Sequence, residues 1–203
     1  IFYKDLESPI VEFQQPIAET NQTSFINAPE ATLLGFELEF EKKFDLSDRF
    51  SGEFWQNAEL FVRANYTFTD SETTVSDGDT VILPTIAGGA LTGGNPLPAS
   101  NFIEDGQELQ GQSRHLANLQ LGWDTNEGAR TALLINYTGE RIRALQNLAL
   151  PTPDIIEEPP VLLDLVHSRT LGLPGAGDID VRVAVRNLLG DDYRAFQEQG
   201  STT

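Results

Sequence analysis

"ATLLGFELEFEKKF" (Ala31–Phe44) is the stretch whose reading decides the fold. Leu34, Phe36, Leu38, Phe40 and Phe44 fall on one side of an extended chain, and Glu37, Glu39, Glu41 and Lys43 on the other. Side chains alternate across a strand, so period two sustained this long means sheet with one apolar and one polar face. Strands of soluble domains usually run about five or six residues. A strand that crosses a bilayer at its usual tilt needs about 9–11, and this run reaches that length.

The same pattern recurs along the chain. In "AELFVRANYTFTD", Ala58, Leu60, Val62, Ala64, Tyr66 and Phe68 oppose Glu59, Arg63, Asn65, Thr67 and Thr69. In "SRHLANLQLGWD", Ala117, Leu119, Leu121 and Trp123 oppose Asn118, Gln120 and Asp124. Leu133, Ile135 and Tyr137 oppose Arg130, Asn136, Thr138 and Glu140; Val161, Leu163 and Leu165 oppose Asp164 and Ser168. Near the end, Ile179, Val181, Val183 and Val185 oppose Asp180, Arg182, Ala184 and Arg186. Two shorter pieces open the chain. Ile1 to Asp5 reads as the end of a strand, and Ile10 to Gln15 as the start of its partner across a turn at Ser8-Pro9. About eight strands result.

The connections alternate in length. "DTNEGAR" and "LGLPGAGD" are tight, Gly-containing turns, and a longer link with Phe54 and Trp55 joins Phe44 to Ala58. On the other side the links are long. Asp70 to Gly111 holds seven Gly, three Pro, seven acidic residues and no Lys or Arg, and Leu145 to Pro160 is Pro-rich. A structureless loop as long as Asp70–Gly111 would be out of place in a compact soluble domain. Short turns on one rim and long loops on the other is the pattern of an outer-membrane barrel.

Composition narrows the function. With 31 acidic residues against 13 basic, the formal net charge is −18. That argues against nucleic acid as a partner, because phosphate binding needs a basic surface. The chain has no Cys, which excludes disulfides, thiolate metal sites and a cysteine nucleophile. It has no Met, and Ile1 reads as mid-strand, so the chain is expected to be a piece of a larger or processed protein. No stretch approaches the ~18 apolar residues of a spanning helix, which leaves a membrane barrel open.

A soluble sandwich also alternates. Phe44, Tyr66, Phe68, Trp123 and Tyr137 lie near strand ends, as in the aromatic girdles of a membrane barrel, although aromatics favour strands generally. The polar faces weigh more. Glu37, Glu39, Glu41, Arg63, Asn65, Gln120, Asn136, Glu140, Asp180 and Arg182 would be costly to bury unpaired. In a wide barrel they line water or a polar plug. Glu37, Glu39, Arg63, Asn65, Gln120, Asn136 and Arg182 are therefore the candidate lumen-facing residues.

"FYKDLESPI" (Phe2–Ile10), followed by "FINAPEATLLGFELEFE" (Phe25–Glu41), resembles a recurrent stretch of TonB-dependent outer-membrane receptors. "LFVRANYTFTDSE" (Leu60–Glu72), "GQSRHLANLQLGWD" (Gly111–Asp124) and "LLINYTGERI" (Leu133–Ile142) resemble their following strands. "VRNLLGDDY" (Val185–Tyr193) is similar to the end of their penultimate strand. In this order the stretches cover nearly the whole chain. The resemblance implies an all-β antiparallel transmembrane segment from a 22-stranded barrel of a Gram-negative bacterial outer membrane, with short periplasmic turns and long extracellular loops. It implies that residues 1–203 form the C-terminal portion of that barrel. The plug domain and its TonB box would precede Ile1, and the final strand would follow Ser201-Thr202-Thr203. The implied function is active uptake of a scarce large solute, such as an iron chelate, cobalamin or an oligosaccharide, energised through TonB. The implied partners are TonB, the plug, outer-membrane lipid and the solute. The alternative is a soluble β-sandwich binding module using the acidic, Gly-rich loops.

No enzyme constellation emerges, and no cofactor motif. His115 and His167 are the only histidines, and both fall near strand ends on the apolar side. No nucleophile elbow accompanies them. "DSETTVSDGDT" (Asp70–Thr80) raises calcium, but its spacing does not match an EF-hand loop, and a solvated acidic loop accounts for it. "AGGALTGGNPLP" (Ala87–Pro98) reads as a flexible or Ω-type loop. The long segment Asp70–Gly111 is the expected region of solute contact, with Asp70, Glu72, Asp77 and Asp79 as candidates.

Overall fold

A computed structural model describes residues 1–17, 20–87, 90–146, 153–173, 175 and 177–197. The chain end Ser201-Thr202-Thr203 lies outside them, as do parts of the Ala87–Pro98 run, the Leu145–Pro160 link and the Leu171–Ile179 turn. In chain order the elements are β1 (Phe2–Glu7), β2 (Ile10–Ile17), β3 (Thr20–Asn27), β4 (Glu30–Asp45), α1 (Glu53–Asn57), β5 (Ala58–Thr74), β6 (Thr80–Ala87), β7 (Ala90–Pro98), β8 (His115–Thr125), β9 (Ala129–Thr138), β10 (Arg141–Ala144), β11 (Ile155–Glu158), β12 (Leu162–Leu173), β13 (Gly177–Val185) and β14 (Arg194–Phe196).

Seven strands form one antiparallel sheet in the order β1-β4-β5-β8-β9-β12-β13. The long alternating runs all enter it, because each buries nothing on its own and needs neighbours for its backbone groups. The sheet is open, and β1 and β13 each pair on one side only. Its apolar face is uncovered: Leu38 is 60% exposed and Phe40 54%. Among the described residues no second sheet packs on that face, as a sandwich would require.

The expectation of about eight sheet strands is corrected to seven. Ile10–Gln15 does not partner Ile1–Asp5. Instead β1 pairs with β4, Phe2 opposite Gly35 and Glu7 opposite Glu30, while β2 turns back on β3. The reason is where Val11 and Phe13 find cover. They are buried with Ile26, Val81, Phe102, Ile103 and Leu145 in a cluster built from the long loops. This is the molecule's one conventional hydrophobic core among the described residues, and it lies off the main sheet.

The Asp70–Gly111 segment is likewise more ordered than its composition suggests. β5 continues to Thr74, and Ala87–Pro98, read as a flexible or Ω-type loop, contributes β7 of a β6–β7 hairpin. A short 3-10 turn at Ala99–Asn101 then carries Phe102 and Ile103 inward. Phe102 meets Phe13 edge to face, with ring centroids 5.0 Å apart. Gln110 ties the loops together: its amide donates to the carbonyls of Glu12 (2.9 Å) and Arg143 (2.6 Å), and its oxygen accepts from the Glu12 N–H.

The loops fold over the polar face at the end of the sheet opposite the tight β8–β9 and β12–β13 turns. Ala31, Leu33 and Gly35 of β4 are buried there, as are Thr69, Ser71 and Thr73 of β5. From Glu37 onward the polar face of β4 is exposed. β4 and β5 have 16 and 17 residues, more than a bilayer requires, and the surplus carries this cap.

Candidate functional site

Strand register brings the expected polar residues into rows. Glu39 lies opposite Asn65, Asn65 opposite Asn118, and Asn118 opposite Asn136. Glu41 lies opposite Arg63, and Arg63 opposite Gln120. Glu37 stands opposite Thr67, and Arg182 opposite Ser168. Arg63 donates to Glu41 at 2.9 Å, and the Asn118 amide donates to Asn65 at 2.7 Å. Glu39, Arg63, Asn65, Gln120 and Asn136 line one shallow depression of about 200 Å³; Gln120 and Arg182 line a second, of about 490 Å³. All seven candidates thus share one face, and Gln120 links the two depressions.

Sequence reading missed the centre of this surface. Phe61 lies on the polar face and is only 2% exposed. Its ring lies across Gly122, where a Cβ would come within 2.7 Å of it. Two guanidinium groups flank it, Arg63 at 5.5 Å and Arg130 at 5.2 Å from the ring centroid. Arg130 is held by two bonds to Asp124, at 2.5 and 2.6 Å, and Lys43 pairs with Glu59 at 2.7 Å. The available signal was the glycine itself, since Gly inside a strand marks close approach of another group.

A second cluster sits at the same end as the loop cap. β10, β11 and β14 form a small antiparallel sheet. Within it Arg141 donates to the Glu157 carboxylate, and the Tyr193 hydroxyl donates to the same carboxylate at 2.6 Å. Arg143 donates to the Tyr193 oxygen at 3.0 Å. Burial pushes Glu157 upward, but the bonds from Tyr193 and Arg141 outweigh it and hold the carboxyl below the usual range. The bond to Glu157 raises the Tyr193 phenol. Nearby, burial raises Asp154, although its carboxylate accepts from the Gln146 N–H and the Gln107 amide.

The four acidic loop candidates do not converge. Asp70 and Glu72 lie in the register of the apolar face, opposite Leu34 and Thr32. Asp70 pairs with Arg114 at 3.1 Å. Asp79 accepts from the Ser76 N–H at 2.7 Å, which closes the turn before β6 around Asp77. Among the described residues no group of three or more His, Asp or Glu is placed to hold a metal ion. His115 bonds the Tyr66 hydroxyl through Nδ1 at 2.7 Å, and His167 bonds Thr131 at 2.9 Å.

Residues 1–188 match the family model described as TonB dependent receptor-like, beta-barrel. No curated protein and no solved structure matches the chain.

Proposed function

This chain belongs to the TonB-dependent receptor-like β-barrel family of the bacterial outer membrane, and from that membership we propose that it forms part of a larger barrel that actively imports a scarce large solute. The solute class is an iron chelate, cobalamin or an oligosaccharide, and the energy comes through TonB. The observation that carries the reading is the contrast between the two faces of the open sheet. One presents Leu34, Phe36, Leu38 and Phe40 uncovered, and the other presents Glu37, Glu39 and Glu41. Each large apolar side chain left in water forgoes roughly 1.5–3 kcal/mol, whereas lipid covers that face at no such cost. The polar rows then line the lumen, against water and a plug domain elsewhere in the full protein. The unpaired edges at β1 and β13 support further strands on both sides, because an open edge is untenable in lipid.

The cap closes part of the outer mouth, and its inward surface meets the solute. Asp77 and Asp79 stand at that mouth; Asp70 and Glu72 frame it on the membrane side. Fractionation of the full-length protein tests the reading. It should sediment with the outer membrane and migrate faster on a gel unheated than boiled, and solute uptake should require TonB. Full recovery in the soluble fraction without detergent would sink it.

A further inference from the structure

The chain leaves β13 through an elbow fixed to the neighbouring strand. The Asn187 N–H donates to the Asp164 carboxylate at 2.8 Å, and the Leu188 N–H to the Leu163 carbonyl at 2.8 Å. The elbow also closes on itself, the Gly190 N–H donating to the Asn187 carbonyl at 3.0 Å. Asn187 (φ 50°) and Gly190 (φ 67°) both hold left-handed backbone, which turns a chain sharply. Beyond the elbow, residues 191–197 reach β11 and pair with it as β14.

These seven residues are held differently from the cap. Residues 191–195 and 197 are exposed, Phe196 is only half-buried, and none of them belongs to the core around Phe13. Their attachment is polar. β14 pairs with β11 over three residues, Arg194, Ala195 and Phe196. Arg194 pairs with Glu158 at 2.7 Å, and the Gln197 amide donates to the Pro153 carbonyl at 2.8 Å. Both Arg194 and Glu158 are well exposed, and such ion pairs contribute little. The tie from the Tyr193 hydroxyl to Glu157 is different. The Glu157 side chain is only 12% exposed, and Arg141 holds the same carboxylate. Hydrogen bonds to an ionised group are the strong ones, so Glu157 is the firm point of attachment. A segment with few apolar contacts and exposed backbone bonds opens locally, before the core beside it. This one also covers something. Asp191, Asp192 and Arg194 line a crevice of about 370 Å³ together with His115, Tyr137 and Thr138 of the main sheet. When the segment lifts, the crevice loses a wall. We propose that residues 191–197 are a hinged strap that pivots at Gly190, is clasped shut by Tyr193 on Glu157, and controls access to this crevice. Its opening does not depend on which solute is transported.

The test uses the full-length protein purified in detergent. Trypsin cleavage after Arg194 and hydrogen exchange over residues 191–197 read the opening, and maleimide labelling of a Thr138→Cys variant reads the crevice. Tyr193→Phe keeps the ring and removes only the clasping hydroxyl. It should raise cleavage and exchange about tenfold, the equivalent of one hydrogen bond to a charged group. Thr138→Cys should label faster in the same background. Exchange in β2 and the 99–103 turn should stay as in the unmodified protein. Glu157→Gln should act in the same direction as Tyr193→Phe, whereas Glu158→Gln should change the rates less than about twofold, as for an exposed pair. Unchanged cleavage and exchange in Tyr193→Phe would overturn the proposal. So would a rise that spreads through β2 and the 99–103 turn, because the strap would then be part of the cap. Faster exchange with unchanged labelling at Thr138→Cys would overturn it too, by showing that the strap does not cover the crevice.

Discussion

At the scale of single residues, Gly122 and Phe61 form a close fit on the sheet. The ring and the Thr131 carbonyl together occupy the space a side chain at 122 would need, and Arg63 and Arg130 pack over the ring. Gly122→Val should therefore displace the ring and both guanidinium groups, at about 1–3 kcal/mol as for other overpacked sites. The readout is the temperature at which the full-length barrel loses its heat-resistant gel mobility, which should fall; an unchanged temperature would contradict the packing. Two outer carboxyl groups give opposite pH responses. Glu157 is depressed in the folded state, so its contribution is present above the ordinary glutamate range and is lost as pH falls through the lower folded value. Asp154 is raised, so the folded loops favour its protonated form, and stability declines as pH rises through that value. Glu157→Gln should accordingly weaken protease protection of the outer loops at neutral pH and flatten its loss in acid. Asp154→Asn should remove the decline at higher pH.

At the scale of elements, β4 and β5 serve two environments along one length. One half of each lies in the open two-faced sheet, and the other end anchors a cap with its own core. Phe13 is 1% exposed at the centre of that core and touches Phe102. Phe13→Ala should cost about 3–5 kcal/mol. Because β2, the 99–103 turn and Leu145 share this residue's cluster, hydrogen exchange should rise in all three together. A rise confined to the β2–β3 hairpin would show that the loops move separately. The cap also explains why the first strands were misassigned from sequence. Val11 and Phe13 alternate like a membrane strand, but alternation records only that one face is covered, and their cover is another loop.

At the scale of the whole molecule, the sheet is stepped. The β8–β9 turn closes with Ala129 opposite Arg169, and β12 runs on to Leu173 before its own turn. Such stagger from hairpin to hairpin is the shear that tilts barrel strands. The sheet is open at both edges and apolar on one face, so residues 1–203 produced alone in water should aggregate through edge pairing. A soluble, monodisperse 203-residue product would contradict this. In detergent the full-length protein should instead be monodisperse.

The sequence by itself determined the long alternating strands of the main sheet, their two faces and the family, because period two and strand length are local and survive without knowledge of partners. It placed Glu37, Glu39, Arg63, Asn65, Gln120, Asn136 and Arg182 on one face for the same reason. It could not determine which strand pairs with β1, since β2 carries the same alternation as β1's true partner. Nor could it give the Phe61–Gly122 contact, the Arg141–Glu157–Tyr193 cluster or the order within the Gly-rich loop. Those depend on register and on residues brought together from distant parts of the chain, and only the tertiary structure supplies them.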